Sequence, residues 1–418
     1  MLVLLWAAAC RPAPVIPLGL PPYDDGTALV APPRVRWERQ VGLTHYRMQL
    51  LVEGGEVWVP SNGRAWDGQA DDDLDGIWVL DARTGAVRRH LVPPGDGERD
   101  VNGVALDGDH LFYATDQPAL VRARLDGTVD WRIELAGDVE GPPVLAEATG
   151  DGGLDVGVAV EGVGFELRDG ATGALVRQLA GTAWAQPATA DLDGDGRADW
   201  LIVERRSERV TALDADGRVT WSLVGPGTYF APPSLATIEA GSPPVAVLAS
   251  RSALLLADPR TGSPSLFWRP PDPETAFYSV GVFREAGCVL LGTAPTAPGP
   301  YCVTPDGVER FTLPLLPTRI SGGAVFGDVD GRPGDEAVLA TESGEVLALD
   351  VRGRQVWLWT APDAIETPPT LADVDHDGRT DVVVASRDGF VRVLQTLGRA
   401  PASPRYWRGD AHNTGVMP

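Results

Sequence analysis

Residues 186–225 read QPATADLDGDGRADWLIVERRSERVTALDADGRVTWSLVG, and this stretch decides the fold. An apolar run enters an acidic loop and a β-branched run, Trp200 to Val203, leaves it. A third run carries Ala212-Leu213-Asp214, and a turn with Gly217 leads to a fourth containing Trp221. Short apolar runs bounded by Asp and Gly, without helical periodicity, are the signature of four consecutive strands. The loop places carboxylates at its positions 1, 3, 5 and 9 (Asp191, Asp193, Asp195, Asp199) with Gly196 at position 6. One tight turn then aims several hard oxygens inward, as Ca²⁺ requires at about 2.3–2.6 Å, whereas four carboxylates without a cation repel one another. The same nine-residue pattern returns at Asp373, Asp375, Asp377 and Asp381, before the run VVVA. The competing reading is a solvated acidic turn, because Asp and Gly are common turn residues.

Outward from this unit the chain repeats itself with a period of about 45 residues, a length typical of propellers and solenoids. The third run and its turn recur as GIWVLDARTGAV at 76, GFELRDGATGAL at 164, LLLADPRTGSP at 254 and EVLALDVRGRQV at 345, holding Asp81, Asp169, Asp258 and Asp350 in the place of Asp214. A short acidic side chain there can hydrogen-bond the backbone of the following turn. Trp131, Trp221 and Trp357 mark fourth strands, where large aromatics fill the space between blades. Trp37 also sits in such a strand but lacks three partners before it, while the last unit, from about 364 to 396, lacks a fourth. The N-terminal strand therefore completes the C-terminal blade and leaves no long sheet edge exposed. The expectation is an all-β, eight-bladed β-propeller over residues 34–400, with units near 40–90, 100–136, 139–181, 182–225, 227–269, 275–315, 318–361 and 364–396. Seven blades is the alternative, because the second and sixth units lack acidic loops.

A formal net charge of −23 argues against nucleic acid and anionic membrane surfaces as direct partners. Lys is absent, which excludes Schiff-base chemistry and a P-loop Lys. Residues 1–10, MLVLLWAAAC, are apolar, too short to span a bilayer, and end in small residues before Cys10. They resemble a bacterial lipoprotein signal with Cys10 as the lipidated residue, although no Arg or Lys precedes the apolar run. Residues 11–33 form a Pro-rich linker. The remaining cysteines, Cys288 and Cys302, flank two β-like runs around a Pro/Gly-rich loop, and a disulfide across that hairpin would close about 15 residues and stabilise by up to roughly 3 kcal/mol.

The acidic loops resemble FG-GAP or VCBS repeats, and the ALDxxTG…W segments resemble the repeats of quinoprotein (PQQ-type) propellers. The resemblance implies calcium sites built from Asp191, Asp193, Asp195, Asp199 and the Arg197 carbonyl, and from Asp373, Asp375, Asp377, Asp381 and the Arg379 carbonyl. Two loops are degenerate. Glu147, Thr149, Asp151 and Asp155 keep oxygen at all four positions, which implies a partial or weak Ca²⁺ site. The loop from Asp328 to Glu336 has Arg332 at position 5 and is expected to hold its shape without metal, Arg332 pairing with the carboxylates. The cluster Asp71, Asp72, Asp73, Asp75 opens like an EF-hand loop, but Ala82 stands where the closing Glu belongs.

Catalytic constellations find little support. Quinoprotein dehydrogenases usually carry adjacent cysteines, which this chain lacks, and its five His residues show no paired-ligand spacing. No Gly-x-Ser-x-Gly elbow occurs. The tail, residues 401–418, contains Arg408-Gly409-Asp410, but the wider segment is expected to dock on the propeller with Trp407 as anchor. The resulting expectation is a non-catalytic, calcium-stabilised, monomeric scaffold, exported to the outer membrane or cell surface as a lipoprotein, or else periplasmic or secreted, binding protein or glycan partners. Two alternatives stand beside it: a polysaccharide lyase or glycosidase with its site in the propeller funnel, and an envelope-assembly scaffold lipoprotein.

Overall fold

The computed structural model describes residues 30–44, 46–64, 72–95, 99–116, 118–183, 185–205, 207–225, 227–273, 275–294, 299–313 and 318–417. Cys10 and most of the linker lie outside the described residues. Eight antiparallel sheets follow one another along the chain, at residues 51–91 (blade 1), 101–134, 144–180, 188–224, 234–268, 277–312, 325–360 and 370–399 (blade 8). The protein is an eight-bladed β-propeller. Blade 8 supplies only three strands of its own, and Arg34–Gln40 pairs antiparallel with Phe390–Arg399 as the fourth, which closes the ring with a strand from the opposite end of the chain.

Local sequence explains the layering. Second strands such as Asp199–Val203 are buried along their whole length, so they carry unbroken apolar runs. Fourth strands such as Val219–Val224 alternate between exposed and half-buried positions on the outer rim. The rim tryptophans reach into the next blade: the indole N–H of Trp37 donates to Ala82 O (2.9 Å), that of Trp131 to Gly170 O (3.1 Å) and that of Trp221 to Pro259 O (2.9 Å). Trp357 departs from this and donates to Val329 O of its own blade (3.2 Å). Room for the indoles comes from glycine. A Cβ on Gly85 would lie 2.5 Å from Trp37 and one on Gly262 2.6 Å from Trp221, and both residues have φ +68°, so any other side chain is excluded twice. The preceding Asp caps the same turn: Asp81 Oδ1 accepts from the Thr84 backbone N–H (2.9 Å) and hydroxyl (2.7 Å).

Cys288 and Cys302 are disulfide-bonded with Cα atoms 5.5 Å apart. They are not directly opposite, since Leu290 faces Cys302 in the register; the bridge runs diagonally across the strand pair.

The tail crosses one mouth of the central channel and bonds to the innermost strands in turn. Arg405 exchanges backbone bonds with Leu371 of blade 8 (3.1 and 2.8 Å), and the Tyr406 hydroxyl donates to Val52 O of blade 1 (2.9 Å). The carbonyls of Ala411, His412, Thr414 and Gly415 accept from Leu106, Leu145, Thr189 and Leu235, in blades 2 to 5. Val416–Met417 then adds a parallel strand to Ser234–Ala236. The Trp407 indole donates to Val280 O of blade 6 (2.6 Å) and lies against Gly323, at the entry to blade 7. Arg408 is fully buried and donates to Pro187 O and Pro233 O, so the Arg-Gly-Asp tripeptide is an internal element.

Candidate functional site

The acidic loops join first to second strands and share one scaffold. In each, the position-9 residue lies at or near the start of the second strand, paired with Ala190 (Asp199), Ala372 (Asp381), Gly327 (Glu336) or Ala146 (Asp155). Its carboxylate accepts the backbone N–H of position 2: Leu192 to Asp199 (2.7 Å), Val374 to Asp381 (3.2 Å), Val329 to Glu336 (2.9 Å), Ala148 to Asp155 (2.9 Å). Position 1 closes the turn from the other side, as Asp191 accepts from Gly194 (2.6 Å) and Gly196 (3.0 Å).

Three loops bring carboxylates together. Asp191, Asp193 and Asp199, then Asp373, Asp375 and Asp381, then Asp328, Asp330 and Glu336 each offer one oxygen within 4.8 Å of the others. Not every residue expected as a ligand joins such a trio. Asp195 and Asp377 stand outside their trios; Asp195 instead binds the Arg197 guanidinium (2.9 Å), which also holds Asp216 (2.9 Å). Among the described residues Glu147, Asp151 and Asp155 do not converge, because the Gly-rich loop satisfies them with its own backbone, Gly150 on Glu147, Gly153 on Asp151 and Thr149 on Asp155. Thr149, at position 3, offers a buried hydroxyl in place of a carboxylate. The Asp328–Glu336 loop does converge, and Arg332, half-exposed, pairs with Asp330 at 3.7 Å, as the sequence led one to expect.

Electrostatics follow the convergence. Burial, reinforced by neighbouring carboxylates, pushes Glu336 up to about 8 and Asp381 up to about 7, and raises Asp199. Buried carboxyls gathered in this way favour a bound cation. The blade 4 trio fits Ca²⁺: its nearest guanidinium, Arg197, is held by Asp195 and Asp216, and Asp191 and Asp193 are open to solvent. The blade 8 trio fits it poorly, because the Arg36 guanidinium lies among Asp375, Asp377 (3.6 Å) and Asp381 (3.8 Å). No feature of spacing marks Arg36, which lies 345 positions before Asp381 in the chain.

The face opposite the acidic loops carries a second constellation. Phe230 and Tyr278, from the entries to blades 5 and 6, stack with centroids 5.2 Å apart. Arg205 lies over Phe230 (5.5 Å) and Arg319 over Tyr278 (4.8 Å), which makes a ladder of guanidinium, ring, ring and guanidinium. Arg319 pairs with Glu342 (3.3 Å) and, one blade on, Arg387 pairs with Glu366 (3.4 Å). Burial pushes the Glu366 carboxyl up to about 7. Tyr278 lies in the first strand of blade 6 and the others in connections between strands, and none belongs to a repeated motif, so nothing periodic reveals them in sequence.

No protein-family model matches the chain, and no curated relative matches it in sequence. Solved structures do. BamB from Moraxella catarrhalis is 16% identical, with 87% of this chain and 99% of that chain covered and a TM-score of 0.61. Saccharomyces cerevisiae Sqt1 is 11% identical over 88% of this chain and 100% of that one, with a TM-score of 0.63. A quinohemoprotein alcohol dehydrogenase from Comamonas testosteroni is 14% identical over 88% and 77%, with a TM-score of 0.61. At these identities the likeness defines the fold class alone: a β-propeller. The acidic loops, the ring-crossing tail and the Arg–aromatic ladder are the features of this chain on which a functional reading can be built.

Proposed function

We propose that this protein is a non-catalytic, calcium-stabilised propeller scaffold, exported and lipid-anchored at the bacterial cell envelope, which docks a protein partner on the face opposite its tail. The observation that carries this reading is the tail itself. By bonding to the innermost strands around the ring, it commits one mouth of the channel to structure and leaves the Phe230–Tyr278 face for binding. Half-exposed aromatics flanked by Arg are the residue types enriched at interface hot spots. The fold is shared by BamB and Sqt1 as well as by dehydrogenases, so the fold alone does not choose between binding and catalysis. Ca²⁺ would be held by Asp191, Asp193 and Asp199 with the Arg197 carbonyl, a structural ion that pins the first two strands of blade 4. A second reading, a carbohydrate-binding or carbohydrate-active site, is favoured by the pairing of stacked rings with Glu342 and Glu366 on the same face.

Two experiments test the proposal. A photo-crosslinking residue at Tyr278 is expected to capture one defined protein in intact cells, and the same residue at the rim position Val219 is not; equal capture at both positions sinks the docking face. Melting in Ca²⁺ and in chelator is expected to differ by the equivalent of about 2.7 kcal/mol at a hundredfold excess over Kd. Asp193→Asn should abolish the difference. A wild-type protein indifferent to chelator removes the calcium reading.

A further inference from the structure

We propose that the acidic loop of blade 8 is neutralised by a tethered cation, Arg36 of the ring-closing strand, and that this guanidinium latches the ring in place of a metal ion. Every fourth strand in the propeller carries a β-bulge against its third strand, and one residue is left without a partner. A bulge re-aims that side chain. In the blades with acidic loops the bulged residue is Val176 in blade 3, Thr220 in blade 4, Val356 in blade 7 and Arg36 in blade 8, since Val35 pairs with Leu394 and Trp37 with Val393. Thr220 turns its hydroxyl to Ala212 O (3.3 Å), and Val356 is buried and apolar. Among these four blades only the blade 8 residue brings positive charge; Arg88 of blade 1 and Arg310 of blade 6 hold the same bulge position, but their blades carry no nine-residue acidic loop between first and second strands. Its Nη1 meets Asp375, its Nη2 lies 3.6 Å from Asp377, and its Nε lies 3.8 Å from Asp381. Asp381 is fully buried and its Oδ1 accepts no hydrogen bond, so the Arg36 guanidinium, 3.8 Å from that atom, is the positive charge that faces it.

A divalent ion coordinated by these three carboxylates at about 2.3–2.6 Å would stand against that guanidinium, so metal entry requires Arg36 to leave. Blade 8 is the blade in which that departure has consequences, because Arg36 belongs to the strand that closes the ring. A tethered cation is present at high effective concentration whatever the free Ca²⁺, so closure does not depend on the ion. The inference rests on the calcium reading only for its contrast with blade 4.

A double-mutant cycle in chelator tests the latch without reference to calcium. Arg36→Gln and Asp375→Asn should each lower the melting temperature, and the double variant should fall little below either single one, a coupling of about tenfold or more in the folded-to-unfolded ratio. Additive losses overturn the latch. Counting bound Tb³⁺ by luminescence separates the two ideas: Asp375→Asn in the otherwise native chain should lose no ion, and Arg36→Gln should gain one. Loss of an ion from Asp375→Asn makes the blade 8 loop a metal site and overturns the proposal. A native chain that binds no ion removes the calcium reading and leaves the latch to be decided by the cycle.

Discussion

The docking of Trp407 can be attacked from both sides of one contact. Its indole is 2% exposed, donates to Val280 O at 2.6 Å and covers Gly323 so closely that a Cβ there would lie 1.7 Å from the indole nitrogen. Trp407→Ala removes the buried side chain and leaves a cavity, a change that costs about 3–5 kcal/mol when the surroundings collapse only partly. It also leaves the Val280 carbonyl without its donor, which adds about 1 kcal/mol. Gly323→Ala adds a single methyl group, yet that methyl overlaps backbone-anchored ring atoms, so the indole must leave and the loss should match that of Trp407→Ala. With an unfolding entropy near 2.1 cal/mol/K per residue over 418 residues, about 4 kcal/mol corresponds to about 5 °C in melting temperature. The double variant should be more stable than the sum of the two losses requires, because the alanine methyl then enters the space the indole vacated. Calorimetry measures the melts, and digestion from the C-terminus by carboxypeptidase reads tail release directly: both single variants should lose residues 401–417 faster than the native chain. If Gly323→Ala melts like the native protein and keeps its tail protected, the tail does not lie where the structure puts it.

Three further outcomes follow from separate parts of the molecule. Glu366, pushed up to about 7 from 4.5, keeps in the folded state a proton that the unfolded chain has lost. Stability therefore falls as pH rises from about 4.5 to about 7, by up to about 3 kcal/mol, and Glu366→Gln should flatten this slope in denaturant titrations across the window. Replacing both Cys288 and Cys302 by Ser opens a closed loop of about 15 residues and should lower stability by about 3 kcal/mol, with no further effect of reductant on the variant. Gly262→Ala places a methyl 2.6 Å from the Trp221 ring at positive φ, so it should destabilise the blade 4–5 contact and shift the fluorescence of Trp221; Ala at the open Gly54 (φ +58°), where a Cβ meets nothing within 4 Å, should cost only the backbone strain of about 1 kcal/mol.

Blade and ring were legible because both are written in short-range pattern. Four runs, an acidic loop and an Asp-capped Gly turn recur along the chain, and each is satisfied within about 45 residues by neighbours the sequence already places side by side. Ring closure was legible for a related reason: a last unit with three strands and a stray Trp37 strand at the start leave one economical pairing. The acidic loops could be found in the same way, but which of their oxygens converge could not. Asp195 and Asp377 fit the repeated spacing as well as their neighbours do, yet Asp195 is taken by a guanidinium two residues on, and Asp328, Asp330 and Glu336 converge although Arg332 stands at position 5 of their loop.

What the sequence by itself determined, then, is the repeating blade and the places where carboxylates enter loops, since backbone preference and apolar periodicity act over a few residues, while the choice of eight blades over seven came from the sheets themselves. Only the tertiary structure decided the rest. Arg36 reaches Asp375 because closure of the ring joins the two ends of the chain in one sheet, and Gln49 donates to Asn413 (2.7 Å) because the tail returns across the channel after 364 residues. Phe230 and Tyr278 stack because adjacent blades bring their entry loops together. Such contacts depend on through-space distance between residues whose separation along the chain carries no periodic signal, and packing alone brings them within reach.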